Sequence, residues 1–160
     1  MNAPLSIVIP TLNAADTLPA TAEALLAGVT AGLVREMGVS DGGSSDATLQ
    51  VARALGAVIV RGDAGRGGQL ARGVAASSGA WVLLLHADTQ LETGWEMAAV
   101  EHIANHADKA GWFRLQFSRA GLGARIVAGG ASLRSRYLRL PYGEQGLLVS
   151  RAVLAAVGGV

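Results

Sequence analysis

Short apolar runs that each stop at a polar turn, separated by stretches of helical spacing, constrain this chain more than any other feature. Residues 5–9 are rich in β-branched side chains and are closed by Pro10, residues 57–60 and 81–85 supply two more such runs, and the more polar residues 34–40 read as a further strand. The run at 81–85 contains no polar residue, the pattern of a central parallel strand covered on both faces. Between the runs, Leu18, Ala22, Leu25, Leu26 and Val29 recur at helical spacing, then Thr48, Val51, Ala52 and Leu55, then Leu70, Val74 and Ala75. Pro19 is tolerated only near a first turn, so the first helix is predicted to begin close to Asp16. Ser44 or Ser45 can cap the second helix, which closes at Gly56. Residues 61–68 read as a glycine-rich turn before the third helix, which stops at Gly79. This alternation of strands and helices predicts right-handed βαβ units, hence an α/β fold with a mainly parallel sheet and helices on both faces.

Beyond Asp88 the pattern changes. A helix is predicted over 94–106, then a half-exposed strand over 112–117, where Phe113, Leu115 and Phe117 alternate with polar neighbours and an antiparallel course fits. Residues 121–139 look helical with a break at Gly129-Gly130. A last strand falls at 146–149 and a last helix at 151–157. No internal repeat or linker divides the 160 residues, so they read as one domain. Its core must be aliphatic, because apolar residues make up 51% of the sequence and aromatics only 4%.

These 160 residues contain no cysteine, which excludes disulfides and thiolate metal sites within them. The N-terminus shows no basic n-region, and no apolar run reaches the ~18 residues of a membrane span. The expectation is a cytoplasmic protein. A net charge of +1 hides an asymmetry: residues 109–143 hold seven basic side chains and no acidic one. That block is either a solvated arginine-rich face or a surface for an anionic partner; a nucleic-acid partner is not expected.

In an open parallel sheet, ligands bind outside the carboxyl ends of the strands where strand order reverses. The polar motifs all fall on that edge: Thr11-Leu12-Asn13, Asp41, Arg66 to Gln69, and His86-Ala87-Asp88. Asp41 is either a turn-forming Asp in an Asp-Gly pair or a carboxylate placed to accept hydrogen bonds from a base or ribose. Asp46 reads as a first-turn helix residue favoured by the macrodipole. Arg66, in Gly65-Arg66-Gly67-Gly68-Gln69, joins a permanent charge to a flexible frame, which suits a phosphate. Asp88 is the metal candidate, since Mg²⁺ or Mn²⁺ needs only one or two carboxylates plus substrate phosphates. His86, two residues away, is a ligand or a hydrogen-bonding support for one. His102 and His106, one helical turn apart, mimic a metal pair but read as a solvated helix face.

At these motifs the chain resembles the family-2 inverting glycosyltransferases of the GT-A fold, a Rossmann-like nucleotide-diphospho-sugar transferase architecture. The likeness rests on Ser6-Ile7-Val8-Ile9-Pro10-Thr11-Leu12-Asn13, Val39-Ser40-Asp41-Gly42-Gly43-Ser44-Ser45-Asp46, Leu83-Leu84-Leu85-His86-Ala87-Asp88 and Gly146-Leu147-Leu148-Val149-Ser150-Arg151. Gly65-Arg66-Gly67-Gly68-Gln69-Leu70, the His86 variant and Tyr142-Gly143-Glu144-Gln145-Gly146 resemble a bacterial subgroup. The resemblance implies a nucleotide-binding half at 1–92 and an acceptor-side half at 93–160, incomplete at its C-terminus. It implies that Pro10, Thr11 and Asn13 line the nucleoside pocket, that Asp41 contacts base or ribose, and that Arg66 and Gln69 lie near the base or diphosphate. It also implies a divalent Mn²⁺ or Mg²⁺ at Asp88 and inverting transfer from a donor such as a UDP-sugar.

The chain departs from the family at two places. His86 stands where the first Asp of the family's metal motif would be. The acidic base that follows the Gly-Gly of the family has no counterpart before Val160, and Glu144 is the one carboxylate after Asp108. Glu144 is therefore either a substitute base or a structural or acceptor-contacting residue. The basic segment falls where the family places acceptor-facing elements. That placement implies an anionic or lipid-linked acceptor and a peripheral position at the inner membrane surface; a homodimer surface over 121–139 is the alternative. Two other readings remain: a sugar nucleotidyltransferase, which calls for a basic glycine-rich loop directly after the first strand, and an inactive nucleotide-binding or oligomerising module.

Overall fold

The computed structural model describes residues 3–113 and 146–159. Its sheet has six strands among the described residues: β1 Leu5–Thr11, β2 Val34–Asp41, β3 Val58–Arg61, β4 Trp81–Leu84, β5 Gly111–Trp112 and β6 Leu147–Ser150. Their spatial order is β3-β2-β1-β4-β6-β5. The β1–β2, β1–β4 and β2–β3 pairs are parallel, while β6 runs antiparallel to both β4 and β5. The chain thus builds outward from β1 through β2 and β3, then returns to the other side of β1 with β4. That return makes the β1/β4 boundary a topological switch point.

Alternation along the strands separates two helical layers. Leu5, Ile7, Ile9, Leu83 and Leu148 face one side, where they meet helices α1 (Leu18–Thr30), α2 (Thr48–Ala54) and α4 (Trp95–Asn105). Val8, Val82, Leu84 and Val149 face the other, against α3 (Arg66–Ala76) and α5 (Arg151–Ala156). The apolar run at the fourth strand is buried throughout because both faces are covered. The expected α/β architecture with helices on both faces is what the structure shows.

Pro10 explains how the switch point opens. Val8 is the last β1 residue paired with β4, and its carbonyl accepts the Leu85 N–H. Residues two apart face the same neighbour, so the N–H that Pro10 lacks would have pointed past the last β4 pair. The two strands part here without losing a ladder bond.

Several local expectations change. In α1 the inward stripe is Leu18, Thr21, Leu25 and Gly28; Leu26 and Val29 are more than half exposed and border a shallow apolar groove with Leu55. The helix leans on α4 at Gly28, where an added Cβ would stand 2.5 Å from Trp95 ring carbons. That approach turns Leu26 and Val29 outward. The second helix is not capped by Ser44 or Ser45: Asp46 accepts the Thr48 N–H at 2.9 Å. The third helix begins at Arg66 and ends at Ala76, so Gly67 and Gly68 lie in its first turn instead of a loop, and Ala75 is exposed. Strand β5 spans Gly111–Trp112; it pairs antiparallel with β6, but because β6 is itself reversed against β4, β5 runs in the same direction as β1–β4 and not against them as expected. The rest of 112–117 beyond Phe113, the 121–139 segment and Glu144 lie outside the described residues.

Candidate functional site

A cleft of about 390 Å³ opens where β1 and β4 diverge. Pro10, Thr11, Leu12 and Asn13 form one wall, His86, Ala87 and Asp88 a second, and Arg66 and Gln69 at the start of α3 complete it. Pro10, Thr11, Asn13, Arg66, Gln69, His86 and Asp88, all singled out from the sequence, therefore meet at one place.

The wall after β1 is held rigidly by the loop after β2. Asn13 has φ +52°, a left-handed conformation that Asn tolerates better than most residues. Its N–H donates to Ser44 Oγ at 2.8 Å and its Oδ1 accepts the Ser45 N–H at 2.9 Å. Next to it, the Ala14 N–H donates to Thr48 Oγ1 at 2.7 Å and the Ala15 N–H to Asp46 Oδ2 at 3.1 Å. Asp46 thus ties two loops together just ahead of α2, and these contacts hold its carboxyl below the ordinary value. The Thr48 hydroxyl contributes most, against a burial cost that acts the other way.

Asp41 does not line the cleft. It is fully buried, with Oδ1 accepting from Thr11 Oγ1 at 3.0 Å and Ser44 Oγ at 2.5 Å, and Oδ2 accepting the N–H groups of Gly43 and Ser44, both at 2.9 Å. Burial favours the neutral acid, but these four donors outweigh it and lower the pKa. The carboxylate is a turn anchor that fixes Thr11 beneath the cleft. A base could contact it only by displacing one of those donors.

Asp88 projects into solvent at the cleft, its side chain 67% exposed, with Oδ1 3.6 Å from His86 Nδ1. The turn that carries them is held from α1: the buried Thr21 hydroxyl donates to the Ala87 carbonyl at 2.8 Å. Thr21 belongs to none of the sequence motifs at the strand ends. The one available signal was a hydroxyl amid the buried stripe of Leu18 and Leu25. No group of three or more His, Cys, Asp or Glu side chains able to hold a metal exists among the described residues. An exposed carboxylate beside an imidazole nevertheless fits a hard ion that draws its remaining ligands from phosphate and water.

The two histidines of α4 and its end differ in setting. His106 is exposed, as expected, but His102 does not belong to a solvated face. The His102 ring meets Trp81 edge-on at 5.8 Å, its Nε2 lies 3.1 Å from the Lys109 carbonyl, and it packs where Gly111 has no side chain. Its ring is part of the packing at the β5–β6 edge.

Comparison with known proteins places this geometry in context. Residues 6–143 match the family described as "Glycosyl transferase family 2". A PGL/p-HBAD biosynthesis glycosyltransferase of Mycobacterium tuberculosis is 38% identical over 108 residues, which is 62% of this chain and 41% of that protein. A glucosyl-3-phosphoglycerate synthase from Mycobacterium tuberculosis, solved with Mn²⁺, uridine diphosphate and glucosyl-3-phosphoglycerate, superposes with a TM-score of 0.68 at 26% identity. The match covers 94% of this chain and 57% of that one. S. aureus TarS, residues 1–349, superposes at 0.71 with 16% identity over 96% of this chain and 49% of its own, a likeness of fold alone. The chain thus spans about half the length of the proteins it matches.

Proposed function

The chain belongs to glycosyl transferase family 2, and we propose that it binds a nucleotide-diphosphate sugar, with UDP as the nucleotide, and serves its transfer to an acceptor with inversion. One observation carries this reading: the switch-point cleft brings Pro10, Thr11 and Asn13, Arg66, and the His86–Asp88 turn together around a space of about 390 Å³. The solved relative that holds UDP and Mn²⁺ supports the choice of nucleotide and metal.

In this reading the Pro10–Asn13 wall receives the nucleoside, held in place from below by Asp41. Arg66, at the positive end of the α3 dipole, faces the diphosphate. Asp88 and His86 would hold a divalent ion, which supplies charge neutralisation at the departing diphosphate. Asp88 is the one carboxylate that lines the cleft among the described residues. Glu144 remains the candidate to take the acceptor proton, and the basic segment 109–143 the candidate to face an anionic or lipid-linked acceptor.

The test is binding first and turnover second. UDP with Mn²⁺ is expected to raise the melting temperature, and EDTA to cancel the metal-dependent part. Ligand at 100 times its Kd adds ~2.7 kcal/mol. Asp88→Ala should abolish the metal-dependent gain while Arg66→Ala weakens UDP with or without metal. Unchanged UDP affinity in both variants would sink the assignment. Release of sugar from UDP-sugars separates an active enzyme from a binding module.

A further inference from the structure

Gln69 is buried in the cleft floor, 5% exposed, and its polar atoms are engaged by the protein. Nε2 donates to the Thr11 carbonyl at 2.8 Å and to the Ser40 carbonyl at 2.9 Å, which uses both amide protons. Oε1 accepts the Gly65 N–H at 3.2 Å. Thr11 closes β1, Ser40 is the penultimate residue of β2, and Gly65 immediately precedes α3. One side chain therefore bridges the carboxyl ends of two neighbouring strands and turns back onto the start of its own helix.

The surroundings are shaped for that amide. A Cβ at Gly42 would stand 3.0 Å from Gln69 Cδ, Nε2 and Oε1. Glutamate would present oxygens to two carbonyl oxygens, and an apolar residue would leave both carbonyls without this donor. The amide expected to lie near the base or diphosphate is thus taken up by the protein's own backbone.

We propose that Gln69 is a positioning residue that locks the ends of β1 and β2 to the start of α3, and so sets where Arg66 stands across the cleft from Thr11, Leu12 and Asn13. The lock itself is independent of any ligand; its consequence for binding rests on the nucleotide-sugar reading above.

Gln69→Met keeps length and apolar bulk while removing the three bonds. In amide hydrogen exchange on the unliganded protein, Gly65 and the first turn of α3 should exchange about tenfold faster or more, with the interiors of β1 and β4 at wild-type rates. Wild-type exchange at Gly65, or uniform acceleration across the sheet, would overturn the lock. Should Gln69→Met fail to fold, Gly42→Ala crowds the same side chain and decides the question through the same backbone N–H groups. In the binding arm, calorimetry with UDP alone measures the effect of Arg66→Ala in two backgrounds. Its loss should be about fivefold or more in the wild-type background and less than about twofold in the Gln69→Met background. Equal losses in both backgrounds would refute the positioning of Arg66. If the wild-type protein fails to bind UDP, the nucleotide-sugar reading falls, while the exchange arm still decides whether Gln69 is a lock.

Discussion

Asp41 accepts four hydrogen bonds and has no exposure to solvent. Asp41→Ala would leave the two backbone N–H groups that Oδ2 accepts without an acceptor, and they cannot reorient as the two hydroxyls on Oδ1 can. Leaving such a donor unpaired costs about 1–3 kcal/mol, so a urea titration should show a loss of that size even without ligand. A variant as stable as wild type would mean that the four contacts do not anchor the fold. The sequence showed an Asp-Gly pair at the right edge of the sheet. It could not show on which side of the cleft floor the carboxylate would fall, because that depends on Thr11, thirty residues earlier. Thr21 was hidden for the same reason: its partner, the Ala87 carbonyl, lies sixty-six residues away. On the proposed function, Thr21→Val should cost about 1 kcal/mol of stability. It should also shrink the Mn²⁺-dependent gain in UDP affinity while leaving metal-free affinity near wild type, and Thr21→Ser should restore the gain. Equal losses with and without metal would show that Thr21 does not act through the His86–Asp88 turn.

At the scale of elements, the run at 81–85 was legible because burial on both faces demands unbroken apolar sequence, and 5–9 departs from that only at the buried Ser6. The course of β6 was not, since a short apolar strand looks alike whichever way it runs. The start of α3 was obscured by its glycines, which lower helix propensity. What extends the helix through them is contact: Leu70 and Val74 pack against the layer formed by Val8, Val82 and Leu84, and Gln69 holds Gly65. The glycines of α3 consequently differ in meaning. At Gly73 a Cβ would stand 2.4 Å from Val8 Cγ1, so α3 sits on β1 closer than any side chain allows. At Gly67 nothing lies within 4 Å. Gly73→Ala should therefore lower stability by about 1–3 kcal/mol through overpacking, despite alanine's better propensity. Gly67→Ala should be neutral or raise stability by about 0.5 kcal/mol. Denaturant midpoints moving in the same direction for both would contradict this account of how α3 is seated.

Across the whole molecule, β1 is pinned at both ends by carboxylates whose pKa values are lowered. At the carboxyl end stand Asp41 and Asp46, described above. At the amino end Glu36 accepts from the Ser6 hydroxyl at 2.6 Å and from Ser78, while Ser6 Oγ receives the Gly79 N–H at 2.8 Å. That network joins β1, β2 and the turn into β4. The Ser6 hydroxyl is the main cause of the lowered Glu36 pKa; burial opposes it, and Ser78 and Arg35 reinforce it. A group titrating lower in the folded protein stabilises fully above its unfolded value and loses that contribution as pH falls through its folded value. Unfolded Asp and Glu titrate near 3.9 and 4.3, so the contribution of these groups should be level above about pH 5.5 and decline below about pH 4. The expected failure is cooperative, because protonation loosens both ends of the strand on which the sheet is built. Urea midpoints measured from pH 7 to pH 3 test this in the wild type and in the Glu36→Gln, Asp41→Asn double variant. The double variant starts less stable but should fall along a shallower slope, keeping only what Asp46 and the remaining acids contribute. A slope as steep as wild type would place the acid sensitivity elsewhere and leave the two carboxylates as anchors whose charge the fold does not use.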